Sequence, residues 1–172
     1  YQGVIAPNPG QIIGTYVFLL GQKQERTPTW YGMLMEDGSK TEAMDVMHYI
    51  WNGKWPENRA PQVNAMLLDA KKAEQSVVLA AEGRYRASVD ASGGDLSYRW
   101  LVMRESDATQ QGGDAEIVPD VVPVDVEVLD EGVVRLVAPV EPGAYRLFVQ
   151  IYNEHGLAAH ANIPFLVEGV QR

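Results

Sequence analysis

From Pro61 to its end, the chain is a succession of short apolar runs separated by turn residues, and this pattern limits the fold more than any other feature. Candidate strands lie at 63–68, 76–81, 85–89, 96–104, 124–129, 133–138, 145–152 and 158–167. Between them stand Ser92-Gly93-Gly94-Asp95, Gly112-Gly113-Asp114, Glu131-Gly132, Glu141-Pro142-Gly143 and His155-Gly156. Glycine, proline and aspartate favour such turns through backbone freedom, a fixed φ and local hydrogen bonding. Successive side chains of a strand point to opposite faces. Tyr98, Trp100 and Val102 therefore share one face of their run, and Tyr145, Leu147, Val149 and Ile151 one face of theirs. Short alternating strands at this spacing predict a β-sandwich. The 119–123 stretch begins and ends in proline. It is a loop or an edge, because proline cannot serve a central strand.

Residues 1–60 follow a different grammar. Residues 12–20, IIGTYVFLL, form a nearly continuous apolar run, as expected of a strand buried on both faces. A polar loop, 21–29, and a second apolar piece, 30–35, come next. Ser39 and Glu42 have the spacing of a capping box, so a helix is expected to start there. Ala43, Val46, Met47 and Ile50 make one apolar face at helical spacing, with Met44 and Trp51 beside it. Gly53 stands where the helix should end. The polar, proline-bearing stretch 52–61, NGKWPENRAP, reads as a linker. The fold expected is thus mainly β: an immunoglobulin-like β-sandwich over 61–172, preceded by a short α/β segment (strand, loop, helix) over 1–60. One strand and one helix cannot bury each other completely. Either 30–35 pairs back as a hairpin, or the segment is the end of a larger body.

Composition narrows the partners. The formal net charge is −9, which repels phosphate backbones, so nucleic acid is not expected. No apolar run is long enough to span a bilayer, so no membrane insertion is expected. With no cysteine there is no disulfide, thiolate metal site or cysteine nucleophile. His48, His155 and His160 lack zinc-site spacing, so neither a metal nor another cofactor is expected. The 90–95 loop carries two aspartates, but its ligand density is that of a glycine-rich turn and not of a calcium loop. The chain begins at Tyr1 and not at methionine, as expected of a processed protein or an excised piece.

Two stretches carry a family likeness. Residues 84–100, RYRASVDASGGDLSYRW, and 141–167, EPGAYRLFVQIYNEHGLAAHANIPFLV, resemble an immunoglobulin-like repeat of the polycystic-kidney-disease or cadherin type. The resemblance implies a core Trp100 and a final hairpin. Residues 14–51, GTYVFLLGQKQERTPTWYGMLMEDGSKTEAMDVMHYIW, resemble the last strand, loop and closing helix of a glycoside hydrolase barrel of the family 2 type. That likeness implies a bacterial glycosidase acting outside the cytoplasm, in the extracellular space or periplasm. Its catalytic carboxylates would lie on an upstream domain of the same protein, and its substrate would be carbohydrate.

No residue of this chain is assigned a catalytic role. The resemblance makes Trp30, and secondarily Tyr31, candidates for stacking on a sugar ring; the alternative is core packing of a short strand. Glu25, the carboxylate of the 21–29 loop, would either touch a substrate hydroxyl or pair with Lys23 or Arg26 at the surface. The expected function is that of a non-catalytic C-terminal region accessory to carbohydrate processing. The competing expectations are a stand-alone carbohydrate-binding or adhesion module, and a spacer without a ligand.

Overall fold

The structure is a computed structural model that describes residues 1–28, 32–109 and 116–169. Gly112, Gly113 and Asp114, read above as a turn, lie outside the described residues. The chain is mainly β. The elements are β1 (Gln24–Glu25), β2 (Thr27–Pro28), α1 (Glu42–Asn52), β3 (Gln62–Leu68), β4 (Val77–Ala80), β5 (Arg84–Ser92), β6 (Leu96–Arg104), β7 (Val121–Val122), β8 (Val126–Asp130), β9 (Val133–Val137), β10 (Gly143–Asn153) and β11 (Ala158–Glu168). One sheet has the order β3-β5-β9-β8 and the other β4-β11-β10-β6-β7.

All the pairings in these two sheets are antiparallel except β4 with β11, which run parallel. In chain order, the first, second, fifth and fourth long strands thus make one sheet. The third, sixth and seventh make the centre of the other. That is the strand partition of the immunoglobulin-like sandwich. The short β7 adds an edge to this other sheet beside β6, so the proline-flanked stretch is an edge strand.

The core is the alternating face read from the sequence. Tyr145, Leu147, Val149 and Ile151 of β10 are buried, and Leu68, Val102, Leu136 and Ile163 meet them from both sheets. Tyr98 and Trp100 are partly buried against this cluster. Tyr145 stacks on Phe165 at 5.7 Å between ring centroids, which adds aromatic contact to the apolar burial. Gly132 turns β8 into β9 with φ 65°, and a Cβ there would meet the Val89 carbonyl oxygen at 2.7 Å. The turn therefore needs glycine.

The first 60 residues depart from expectation in several ways. Among the described residues, 12–20 enter no strand; Leu19 makes an isolated parallel bridge to Gly32. A doubly buried strand needs a ladder on each side. The described residues supply none, so Tyr16 stands 98% exposed, and Ile13, Phe18 and Leu20 are exposed with it. Second, the loop holds the two-residue ribbon β1–β2, turned at Arg26 with φ 62°. Third, Thr41 and not Ser39 precedes the helix, and the Thr41 hydroxyl donates to the Met33 carbonyl at 2.8 Å instead of capping. The Ser39 amide is held by Asp37 Oδ1 at 2.9 Å. The helix C-terminus is as expected: Gly53, at φ 69°, donates its N–H to the Tyr49 carbonyl at 2.8 Å. Glycine takes this left-handed position without the steric cost of a Cβ.

Helix α1 buries one polar side chain fully, while Met44, Met47, Tyr49 and Ile50 are half-buried. Asp45 is the buried residue, whereas Ala43, Val46 and Trp51 are exposed. Asp45 Oδ2 accepts from the Ala60 N–H at 2.7 Å, and Gln62 Nε2 donates to Glu42 Oε1 at 2.6 Å. The stretch read as a linker folds back on the helix. Trp55 stacks on Tyr49 at 4.4 Å, and the Arg59 guanidinium lies 4.0 Å over the Trp55 ring, where the negative π face attracts the cation. Asn153 Nδ2 donates to the Arg59 carbonyl at 2.9 Å, and the Ala158 N–H to the Lys40 carbonyl at 2.9 Å. These bonds hold the helix to the β10–β11 end of the sandwich.

Candidate functional site

The outward face of β6, β10 and β11 is set by cross-strand register. Arg99, Gln150 and His160 form one row across the three strands; Leu101, Phe148 and Asn162 form the next; Met103, Arg146 and Pro164 form a third. An outward sheet face is ordinarily solvated. Met103 and Phe148 are nevertheless only 4% and 6% exposed. The cover is an arm whose described residues are 22–28 and 32–36. Gln24, Pro28 and Met35 border the same cleft as Leu101 and Phe148. The arm is pinned at Arg26, whose N–H donates to Glu116 Oε2 at 2.8 Å. Beside it Arg146 forks onto Glu105, with Nη2 to Oε1 at 2.7 Å and Nε to Oε2 at 2.9 Å, and its Nη1 donates to Asn162 Oδ1 at 2.5 Å. The planar guanidinium matches the carboxylate in this two-pronged geometry, which fixes the orientation of both.

Between arm and sheet lies a cleft of about 390 Å³. Gln24, Gln150 and His160 border it. The amide nitrogen and oxygen of Gln24 and the amide oxygen of Gln150 are buried without a hydrogen-bond partner among the described residues. Burial pushes the His160 imidazole below its ordinary pKa of 6.5, because a buried ring resists charging, so it is neutral at pH 7. At the adjoining edge, the Ser39 amide holds the Asp37 carboxyl below its usual range, with the Tyr152 hydroxyl assisting; hydrogen bonds to a carboxylate favour its charged form.

Of the residues singled out from the sequence, Glu25 is on this arm in β1. Its Oε2 pairs with Lys23 Nζ at 3.3 Å, which is the surface pairing weighed above. Trp30 and Tyr31 lie outside the described residues. Nothing in the sequence groups Gln24, Gln150 and His160. Alternation does put Gln150 and His160 on the outward faces of their strands, but only register places them side by side. Elsewhere, His48 Nδ1 lies 2.9 Å from the Lys54 carbonyl at the helix end, and no three His, Asp or Glu side chains among the described residues come together as a metal site. No helix among them is long and apolar enough to cross a membrane.

The sandwich places the chain in the immunoglobulin-like fold class. No protein-family model matches the chain, and no curated protein does. Solved structures give a partial likeness. PcoC, a methionine-rich copper resistance protein from Escherichia coli, is 16% identical with a TM-score of 0.39, over 63% of this chain and 99% of that one. A nucleoside hydrolase-related hypothetical protein from Saccharophagus degradans, associated with carbohydrate metabolism, is 13% identical with a TM-score of 0.36, over 65% of this chain and 26% of that one. Murine CRIg is 13% identical with a TM-score of 0.33, over 64% of this chain and 98% of that one. A likeness at this level says nothing of a ligand.

Proposed function

We propose that this chain is the non-catalytic C-terminal region of an exported bacterial glycoside hydrolase of the family 2 type, in which residues 1–60 complete a barrel and the sandwich is accessory to it. The observation that supports this is the set of exposed apolar side chains in the segment that resembles a barrel end. The 12–20 run exposes Ile13, Tyr16, Phe18 and Leu20, and α1 exposes Val46 and Trp51 while its buried contact to the 53–60 stretch runs through Asp45. Several large apolar side chains exposed in one segment point to a contact with something else. In a barrel, the run becomes a strand buried on both faces and the helix stripe packs on the barrel wall.

In this reading glycosidic hydrolysis belongs to two carboxylates on upstream strands, at the separation such chemistry needs. Trp30, the aromatic that follows the loop after the last strand, stacks on a sugar ring, because loops after barrel strands face the substrate. The protein works in the extracellular space or periplasm on carbohydrate.

The reading frame upstream of the Tyr1 codon tests it. The expected result is an open frame encoding a long series of alternating strands and helices, with glutamates at two strand ends. A start codon or signal peptide immediately before Tyr1 would overturn it.

A further inference from the structure

We propose that the cleft between the arm residues 22–28 and 32–36 and the outward face of β6, β10 and β11 binds a neutral, polyhydroxylated small molecule of mono- or disaccharide size. The choice of a sugar over other polyols rests on the carbohydrate reading above; the site itself does not need a barrel.

Volume is the first argument. The cleft measures about 390 Å³. Small-molecule sites run from roughly 300 Å³ upward, so a ring of sugar size fits. The floor is the second. Register sets a polar row, Arg99, Gln150 and His160, directly beside Leu101 and Phe148. A pyranose has the same division, with C–H groups on its faces and hydroxyls at its rim. The apolar residues suit a ring face, and the polar row, two residues further along the strands at about 7 Å, is placed for its hydroxyls.

Hydrogen-bonding capacity is the third argument. Buried polar groups are almost always partnered, and an exception asks for an explanation. Gln24 and Gln150, from opposite walls, leave three amide atoms without a partner among the described residues. Amides both donate and accept, as hydroxyls do. In the present conformation these atoms are shut away from solvent. For a ligand to reach these atoms, each glutamine turns its amide toward the cleft it borders.

Charge is the fourth. Lys23 and Arg99 are balanced at the cleft by Glu36 and Glu116. With two cations and two carboxylates at its lining the site carries no net charge to select an anion or a cation, which suits a neutral ligand.

The test is titration of the full 172-residue chain with glucose, galactose, xylose and cellobiose, by calorimetry and by ligand-observed magnetic resonance. At least one sugar is expected to bind saturably, and Gln24→Leu and Gln150→Leu are each expected to weaken it by about tenfold. Both variants should fold with an unchanged or raised Tm, since an apolar side chain of similar size removes an unpartnered amide. Absence of saturable binding by the parent chain overturns the proposal. So does binding that survives both substitutions, including binding that is lost only in Trp30→Ala, and so does a sugar-soaked crystal in which ordered water alone meets the two amides. A start codon before Tyr1 would remove the barrel and leave these measurements standing.

Discussion

The Tyr145 hydroxyl donates to the Glu141 carbonyl at 2.8 Å, four residues back across the turn that leads into β10. The ring is 1% exposed and belongs to the core, so one side chain fills the sandwich and latches the turn above it. This is the tyrosine corner of immunoglobulin-like domains. Tyr145→Phe keeps the ring and leaves the carbonyl without its partner. The expected cost is about 1–2 kcal/mol, read from urea denaturation, with the slope of the transition unchanged.

Asp45 performs the equivalent task between the helix and the 53–60 stretch. Its carboxylate accepts from the Ala60 amide at 2.7 Å and stands 4.0 Å from Arg59 Nε. Asp45→Ala leaves a buried N–H unpaired, at a local cost of about 1–3 kcal/mol. Hydrogen exchange should quicken across α1 and the 53–60 stretch while β10 and β11 keep their protection. Equal acceleration throughout would mean that helix and sandwich open as one unit.

These two contacts differ in how far the sequence announces them. Pro-Gly-x-Tyr before a long alternating strand is a local signal, and β6 and β10 follow from alternation within a residue or two. The helix end at Gly53 is equally local. The docking side of α1 is not. The apolar stripe at Ala43, Val46, Met47 and Ile50 predicts the buried face, yet the structure buries Asp45. Its partner amide lies far along the chain, at Ala60, and pairing decides whether a buried carboxylate is tolerable. The cleft was illegible for a similar reason. Gln24 and Gln150 meet only through the path of the arm, and a lone glutamine in a strand carries no signal.

His160 makes stability depend on pH in a known direction. Burial disfavours the imidazolium, so the folded pKa lies below 6.5, while the unfolded chain keeps an ordinary value. The unfolded state therefore binds the proton first as pH falls. The contribution is complete above about pH 6.5 and is lost as pH drops from there through the folded pKa. Arg99 and Glu36 border the same cleft and bring opposite charges to it. Between about pH 8 and pH 5, His160→Gln should remove a slope of at most about 1.4 kcal/mol per pH unit, measured by denaturant melts at each pH.

Glu25 tests how much the arm depends on its charges. Lys23 and Glu25, its pair, have side chains 29% and 31% exposed. Glu25→Gln should change stability by less than about 1 kcal/mol. If the cleft binds sugar through Gln24 and Gln150, affinity should also hold within about twofold. A larger loss of affinity without a loss of stability would place Glu25 in contact with the ligand.

The uncovered helix stripe separates a domain end from a free-standing module. Val46 and Trp51 are both exposed. A surface substitution away from specific contacts is usually worth within about 0.5 kcal/mol. Val46→Lys and Trp51→Lys should therefore leave the Tm of the 172-residue chain almost unchanged. In a protein extended through its upstream frame, the same positions would face a barrel wall. Each lysine would then put a charge into an apolar contact, and the loss should reach about 2–3 kcal/mol or prevent folding of the barrel. Equal tolerance in both lengths would mean that α1 faces solvent in the parent protein as it does here, and the barrel reading would fall.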